Sequence, residues 1–151
     1  MSHRVRRASI GDLEKLVAFT LAEAADSEAA AKDPVQVTKG VLAGLEHEET
    51  ARYWVLEDEE GAVIGSTSVV REWSDWSAGY YWWIQSMYLK PQYRGRGLMK
   101  LLLDEVQSTA RAEDAVEVRL YVHKDNAPAI RAYRKYGFQD SDYRIMQLTD
   151  R

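Results

Sequence analysis

Two hydrophobic periods run along this chain. Apolar and polar residues alternate over Val116-Glu117-Val118-Arg119-Leu120-Tyr121-Val122, which argues for a half-buried strand. Further strands are predicted at 3–7, 52–56, 62–71, 80–89 and 143–148. The pair 52–56 and 62–71 flanks an acidic turn ending at Gly61 and reads as a hairpin. Elsewhere the spacing is helical. Leu13, Leu16, Val17, Thr20, Leu21 and Ala24 share one face of a first helix. Ser9-x-x-Asp12 opens it as a capping box, with Asp in place of the usual Glu. Asp33-Pro34-Val35-Gln36 starts a second helix, with Pro34 at the first helical position and Val37, Val41 and Leu45 following. Leu98, Leu101, Leu102 and Val106 mark a third. A fourth carries Ala129, Ile130, Ala132, Tyr133 and Tyr136, begins around Pro128 and stops at Gly137. Elements in this order make an α+β chain.

The connection between the strand at 80–89 and the third helix carries the most chemistry. It reads Leu89-Lys90-Pro91-Gln92-Tyr93-Arg94-Gly95-Arg96-Gly97-Leu98-Met99. A helix N-terminus presents unpaired N–H groups and about half a positive charge, so it attracts anions. Gly95 and Gly97 let backbone approach a phosphate with no Cβ in the way, and Arg94 and Arg96 add full charges. A diphosphate is the expected ligand. The turn lacks G-x-x-x-x-G-K-[ST], which excludes an ATP-binding P-loop, and it lacks the G-x-G-x-x-G of a dinucleotide site.

What stands there is Gln92-x-x-Gly95-x-Gly97, which resembles the acyl-CoA signature [RQ]-x-x-G-x-[GA] of the GNAT superfamily of N-acetyltransferases. Further on, Asn126-x-x-Ala129-x-x-x-Tyr133-x-x-Tyr136-Gly137-Phe138 resembles the pattern N-x-x-A-x-x-x-Y-x-x-x-G-F of the same superfamily. The resemblance extends over essentially the whole chain. It implies the GNAT fold: a central, mostly antiparallel sheet with a splayed parallel strand pair, and helices on both faces. The strands at 80–89 and 116–122 would be that pair, leaving a slot for a pantetheine arm.

Roles follow from the resemblance position by position. Acetyl-CoA is the implied co-substrate. Backbone groups of Met87 and Leu89 would pair with pantetheine, and the N–H of Met87 or Tyr88 would steady the thioester oxyanion. Gln92 opens the phosphate signature, and the amides from Arg94 through Gly95, Arg96, Gly97 and Leu98 to Met99 would cradle the pyrophosphate. Asn126 and Ala129 belong to the second motif; Asn126 is read either as a contact to the cofactor arm or as a plain helix cap. Tyr133 is the implied general acid to the departing thiolate. A phenol, with an ordinary pKa of ~10 against ~8.5 for a thiol, needs a site that withholds water from the thiolate.

A general base is less evident. Many relatives carry a glutamate on the strand before the phosphate turn, whereas strand alternation puts Trp83 and Gln85 at those positions. Gln85 would orient a water or the acceptor. Glu72 and Asp75 supply the nearest carboxylates, on a connection read as a solvated loop, and His123, at the end of its strand near the expected slot, is a further candidate base. Ser86 has no nucleophile motif around it. The aromatics between Trp73 and Tyr88 suit core, a dimer interface or an amine pocket.

Bulk properties narrow the field. At 151 residues a single domain spanning 1–151 is expected. A net charge of −4 argues against a nucleic-acid or acidic-membrane binder, so the basic turn is a local patch. With no cysteine, disulfides, thiolate metal sites and a cysteinyl acyl-enzyme are all excluded, and direct attack is favoured. No metal site is evident. No signal-peptide-like or membrane-length apolar run is present, so a cytoplasmic location is the default. The expected activity is acetyl transfer from acetyl-CoA to a primary amine on a small molecule or peptide. The alternative is a non-catalytic acyl-CoA-binding module on the same fold.

Overall fold

The structure, a computed structural model, describes residues 2–28 and 31–149. Strand β1 (Arg4–Arg7) leads through a 3-10 turn into helices α1 (Leu13–Glu28) and α2 (Pro34–Glu46). Three long strands follow: β2 (Arg52–Glu57), β3 (Val63–Ser74) and β4 (Gly79–Leu89). Helix α3 (Met99–Ala112), strand β5 (Glu117–Leu120) and helix α4 (Ala127–Tyr136) complete the order. The five strands lie in sequence order in one sheet. All neighbours are antiparallel except β4 and β5. A parallel pair cannot be closed by a tight turn and needs a crossover, which α3 supplies.

Each face of the sheet is covered. Trp54, Leu56, Ile64, Val69, Trp82 and Ile84 pack with Leu98, Leu102, Leu103, Val106 and Ala110 of the α3 segment. Tyr53, Val55 and Val63, at the intervening positions, pack with Leu16 and Phe19 of α1 and Val41 of α2. Every fully buried aliphatic side chain of this kind contributes roughly 1.5–3 kcal/mol. The helix starts predicted from sequence are realised: Asp12 Oδ2 accepts from the Ser9 N–H at 2.8 Å, and Asp33 Oδ1 accepts from the Val35 N–H at 3.0 Å. Among the described residues no helix is long and apolar enough to cross a membrane.

Three expectations need correction. The strand predicted at 143–148 does not form. Its alternating residues find no strand beside them, and Tyr143, Ile145, Met146 and Leu148 are 69%, 66%, 92% and 87% exposed. The stretch Glu72 to Ser74, read as loop, is the end of β3, paired with Tyr81 back to Gly79. Finally, alternation along β4 is broken. Ser86 lies opposite Ser68 while Ile84 lies opposite Val69, so Gln85 is an extra residue in a bulge.

Candidate active site

The bulge and the end of β5 create the cleft. Pairing of β4 with β5 runs from Tyr81↔Glu117 to Ile84↔Leu120 and stops there. β4 continues to Leu89, past the last β5 partner, and Gln85 is the first residue on the unpaired stretch. Glu23, Ile84, Gln85, Ser86, Met87, Leu120, Tyr121 and Tyr133 line the resulting opening. It is thus floored by β4, walled by the end of β5 and by α4, and roofed by α1.

The backbone of Met87 faces into this cleft. Met87 lies opposite Thr67 of β3, yet its N–H donates to Glu23 Oε2 at 3.0 Å. Successive N–H groups of a strand point to opposite edges, so Met87 and Leu89 address the open edge and Tyr88 addresses β3. Of the two amides the sequence left open as oxyanion donors, only that of Met87 is aimed at the cleft.

Glu23 is the residue that sequence reasoning missed. It sits on α1 four positions after the buried Phe19, whose ring stacks on Tyr88 of β4 at 5.0 Å. That contact fixes the helix over the strand and brings the carboxylate to the cleft. A charged residue continuing the row Leu16–Phe19 is the signal that was available, because such a position is normally apolar.

Tyr133 enters from α4, its ring edge-on to Phe138 at 5.6 Å and 74°. Burial pushes its phenol up to about 12, and the negative charge of Glu23 adds to the shift. Tyr53, beneath the α1 side of the sheet, is also raised, chiefly by burial, with Glu23 contributing in the same direction. Tyr136 plays a structural part, because its hydroxyl donates to Asp104 Oδ1 at 2.6 Å and ties α4 to α3. Burial and that carboxylate push it up to about 12.

The glycine turn has the features an anion site needs. Gly95 and Gly97 sit at φ +79° and +76°, and a Cβ at either would meet nothing within 4 Å, so the space beside them is open. The residue capping α3 is Leu98, whose side chain supplies no capping acceptor; in the first turn the Leu101 N–H donates to the Leu98 carbonyl at 3.0 Å, which leaves those of Met99 and Lys100 for an anion. Arg94 donates Nε–H to the Leu89 carbonyl at 2.7 Å and reaches Asp26 of α1 at 3.3 Å. Arg96 lies over the Tyr93 ring at 5.5 Å. Gln92 is exposed in a 3-10 turn. At the other end of the slot Asn126 caps α4 through Ala129 N–H, at 3.3 Å.

The remaining candidates lie apart from the cleft. Glu72 is on β3, where its Oε1 accepts from the Trp83 indole at 2.7 Å; it does not line the opening. Asp75 is exposed in the following turn, and His123 accepts from the Asp125 N–H in an exposed turn. Ser86 shares a 2.5 Å hydrogen bond with Ser68. The adjacent tryptophans separate as strand geometry requires: Trp82 is buried, while Trp83 stacks on Tyr121 at 4.5 Å. Tyr121 itself lines the cleft.

Comparison with known proteins agrees with the fold. The sequence profile of the acetyltransferase (GNAT) family matches residues 17–138. A structure of a "possible acetyltransferase" from Clostridium difficile 630 superposes with a TM-score of 0.91 at 30% identity, covering 99% of each chain. A "predicted acetyltransferase" of Clostridium acetobutylicum, solved with acetyl-CoA, superposes at a TM-score of 0.79 and 22% identity, over 97% of this chain and 96% of the other. In sequence, 56 residues are 38% identical to spermidine N(1)-acetyltransferase of Thermoplasma acidophilum, 37% of this chain and 35% of that enzyme. Mycothiol acetyltransferase of Corynebacterium glutamicum strain R is 28% identical over 88% of this chain and 57% of its own length. The chain thus spans only part of these named enzymes.

Proposed function

The chain is a member of the GNAT acetyltransferase family, and we propose that its single domain, residues 1–151, moves an acetyl group from acetyl-CoA to a primary amine by direct attack. The observation that carries this reading is the Met87 N–H, aimed into a cleft where Tyr133 also ends. The open space at Gly95 and Gly97 and the uncapped start of α3 fit a pyrophosphate. The amides from Gly95 to Met99 would hold it, since the Arg94 N–H is already given to the Pro91 carbonyl at 3.2 Å; the unpaired edge of β4 would hold the pantetheine arm, and Asn126 and Ala129 would flank that arm. The bound thioester supplies an activated acetyl carbon.

The residues of this chain then do three things. Met87 donates its N–H to the charge that develops on the carbonyl oxygen; a donor of this kind is typically worth ~10²–10³ in rate. Tyr133 gives its proton to the leaving thiolate. With the phenol pushed up to about 12, that transfer proceeds because the same burial withholds water from the sulfur. Gln85, exposed at the bulge, offers an amide to the incoming acceptor. The acceptor belongs to a small molecule or a peptide. A cytoplasmic setting and self-association of the chain are part of the same proposal.

Isothermal titration with acetyl-CoA, followed by thiol release over a panel of amines, tests it. Binding together with amine-dependent release is the expected result. Binding without release would leave an acyl-CoA-binding module, and absence of binding would overturn the site.

A further inference from the structure

Glu23 is half-buried on an otherwise apolar stripe of α1. Leu16 and Phe19 precede it on the same stripe of α1, and both are buried. A carboxylate drawn partly out of water needs hydrogen bonds, and one that it accepts comes from the Met87 N–H, the donor assigned above to the thioester oxygen. One turn on, Asp26 takes Arg94 at the glycine turn. Two acids of one helix therefore lie on two groups of the acetyl-CoA track.

Resting on the function proposed above, we propose that Glu23 is the catalytic carboxylate of the amine side. Its contact with Met87 is a resting position, surrendered when the acetyl oxygen takes that N–H. The carboxylate, still at the mouth of the cleft beside Tyr121 and Tyr133, then receives the acceptor as an ammonium ion. The acceptor class is thus a cationic primary amine, and acetyl-CoA binds first. Aromatic rings stand at the approach to the cleft: Trp83 stacks on Tyr121 at 4.5 Å and already holds the Arg119 guanidinium 5.7 Å from its centre. The nearby Arg119, lying over Tyr81, is neutralised by Glu117 at 2.6 Å.

The proton inventory closes. The ammonium gives one proton to Glu23, and the nitrogen lone pair so released forms the C–N bond to the acetyl carbon. The C–S bond breaks, sulfur keeps its electron pair, and Tyr133 protonates it. The surplus proton on nitrogen returns to the Tyr133 phenolate, and Glu23 releases its proton to water. Ammonium and thioester yield amide, thiol and one proton.

The test titrates acetyl-CoA and CoA into the wild type, Glu23→Gln and Glu23→Asp, and measures thiol release with spermidine, lysine and hydroxylamine as probes. Glu23→Gln should bind acetyl-CoA severalfold more tightly than the wild type, with a smaller change for CoA, which has no acetyl oxygen. Its kcat with the cationic amines should fall ~10²-fold. Hydroxylamine, neutral at neutral pH, should lose far less. Glu23→Asp keeps the charge and should recover part of the rate at an unchanged melting temperature. Unchanged kcat in Glu23→Gln, or weaker acetyl-CoA binding by it, overturns the proposal. So does a wild type that binds acetyl-CoA yet acetylates neither cationic amine; a wild type that fails to bind acetyl-CoA overturns the proposed function itself.

Discussion

Tyr133, the acid of the proposed mechanism, is marked in the sequence while its electrostatic setting arises only in the fold. Its place in the Asn126 to Phe138 motif marks it, but the upward push to about 12 comes from burial and from Glu23 on a distant helix. A raised pKa keeps the phenol protonated over a wider pH range, and the protonated form is the acid. The Tyr133-dependent step should therefore show no alkaline loss of kcat up to about pH 10, the ordinary phenol value. Tyr133→Phe should lower kcat by ~10²-fold or more while leaving the acetyl-CoA Kd within a factor of a few. Stopped-flow turnover and calorimetry on the variant check both; equal turnover removes Tyr133 from the mechanism. Glu23 escaped the sequence reading for the opposite reason. No motif surrounds it, and its value lies in a contact 64 residues away, at Met87. The visible trace was one acid on an apolar helix stripe, easily passed over in a helix with many charged residues.

At the scale of elements, local rules were sufficient wherever a cap or a glycine set the boundary, as at Asp33-Pro34 and Gly137. They failed where a partner strand decided the outcome, at the Gln85 bulge and at the longer β3. The glycine turn allows a prediction. Gly97→Val puts a branched side chain into a left-handed backbone position, φ +76°, and into the space beside the start of α3. Loss of acetyl-CoA binding in calorimetry is expected, with a stability cost of roughly 1–3 kcal/mol for the strained conformation. Unchanged affinity would mean that the phosphates lie elsewhere. The entry to α1 allows another. Asp12 is buried, pairs with Arg6 Nη1 at 2.9 Å and accepts from Ser9 N–H. The Arg6 hydrogen bond holds its carboxyl below the usual value of 3.8. A depressed carboxylate stabilises the fold fully above its unfolded value and loses that contribution as pH falls through the folded one. Asp12→Asn should thus cost roughly 1–3 kcal/mol at pH 7, and its difference from wild type in urea midpoints should shrink only below pH 3.8.

The whole molecule leaves two needs unmet, and they match. The outer edge of β5 has no strand beside it among the described residues, although Val118 and Leu120 pack only partly against the α3-side core. The segment 143–148 has a strand's alternation but no strand to pair with, and Ile145, Met146 and Leu148 face solvent. An open edge beside a buried layer recruits a strand, whether wanted or not. Within one copy edge and segment are not paired; in the proposed self-association a second copy would offer each the other, and a two-fold arrangement would satisfy both at once. The wild type should therefore elute with a light-scattering mass of twice 17.3 kDa. Because the segment follows α4, which carries Tyr133, closing that edge in such a dimer would also steady one wall of the cleft. The double variant Ile145→Lys and Leu148→Lys should shift the mass to that of one chain and lower kcat, while acetyl-CoA contacts along β4 and α3 persist. A monomeric wild type would overturn this assembly, and a monomeric variant with full kcat would separate the assembly from catalysis.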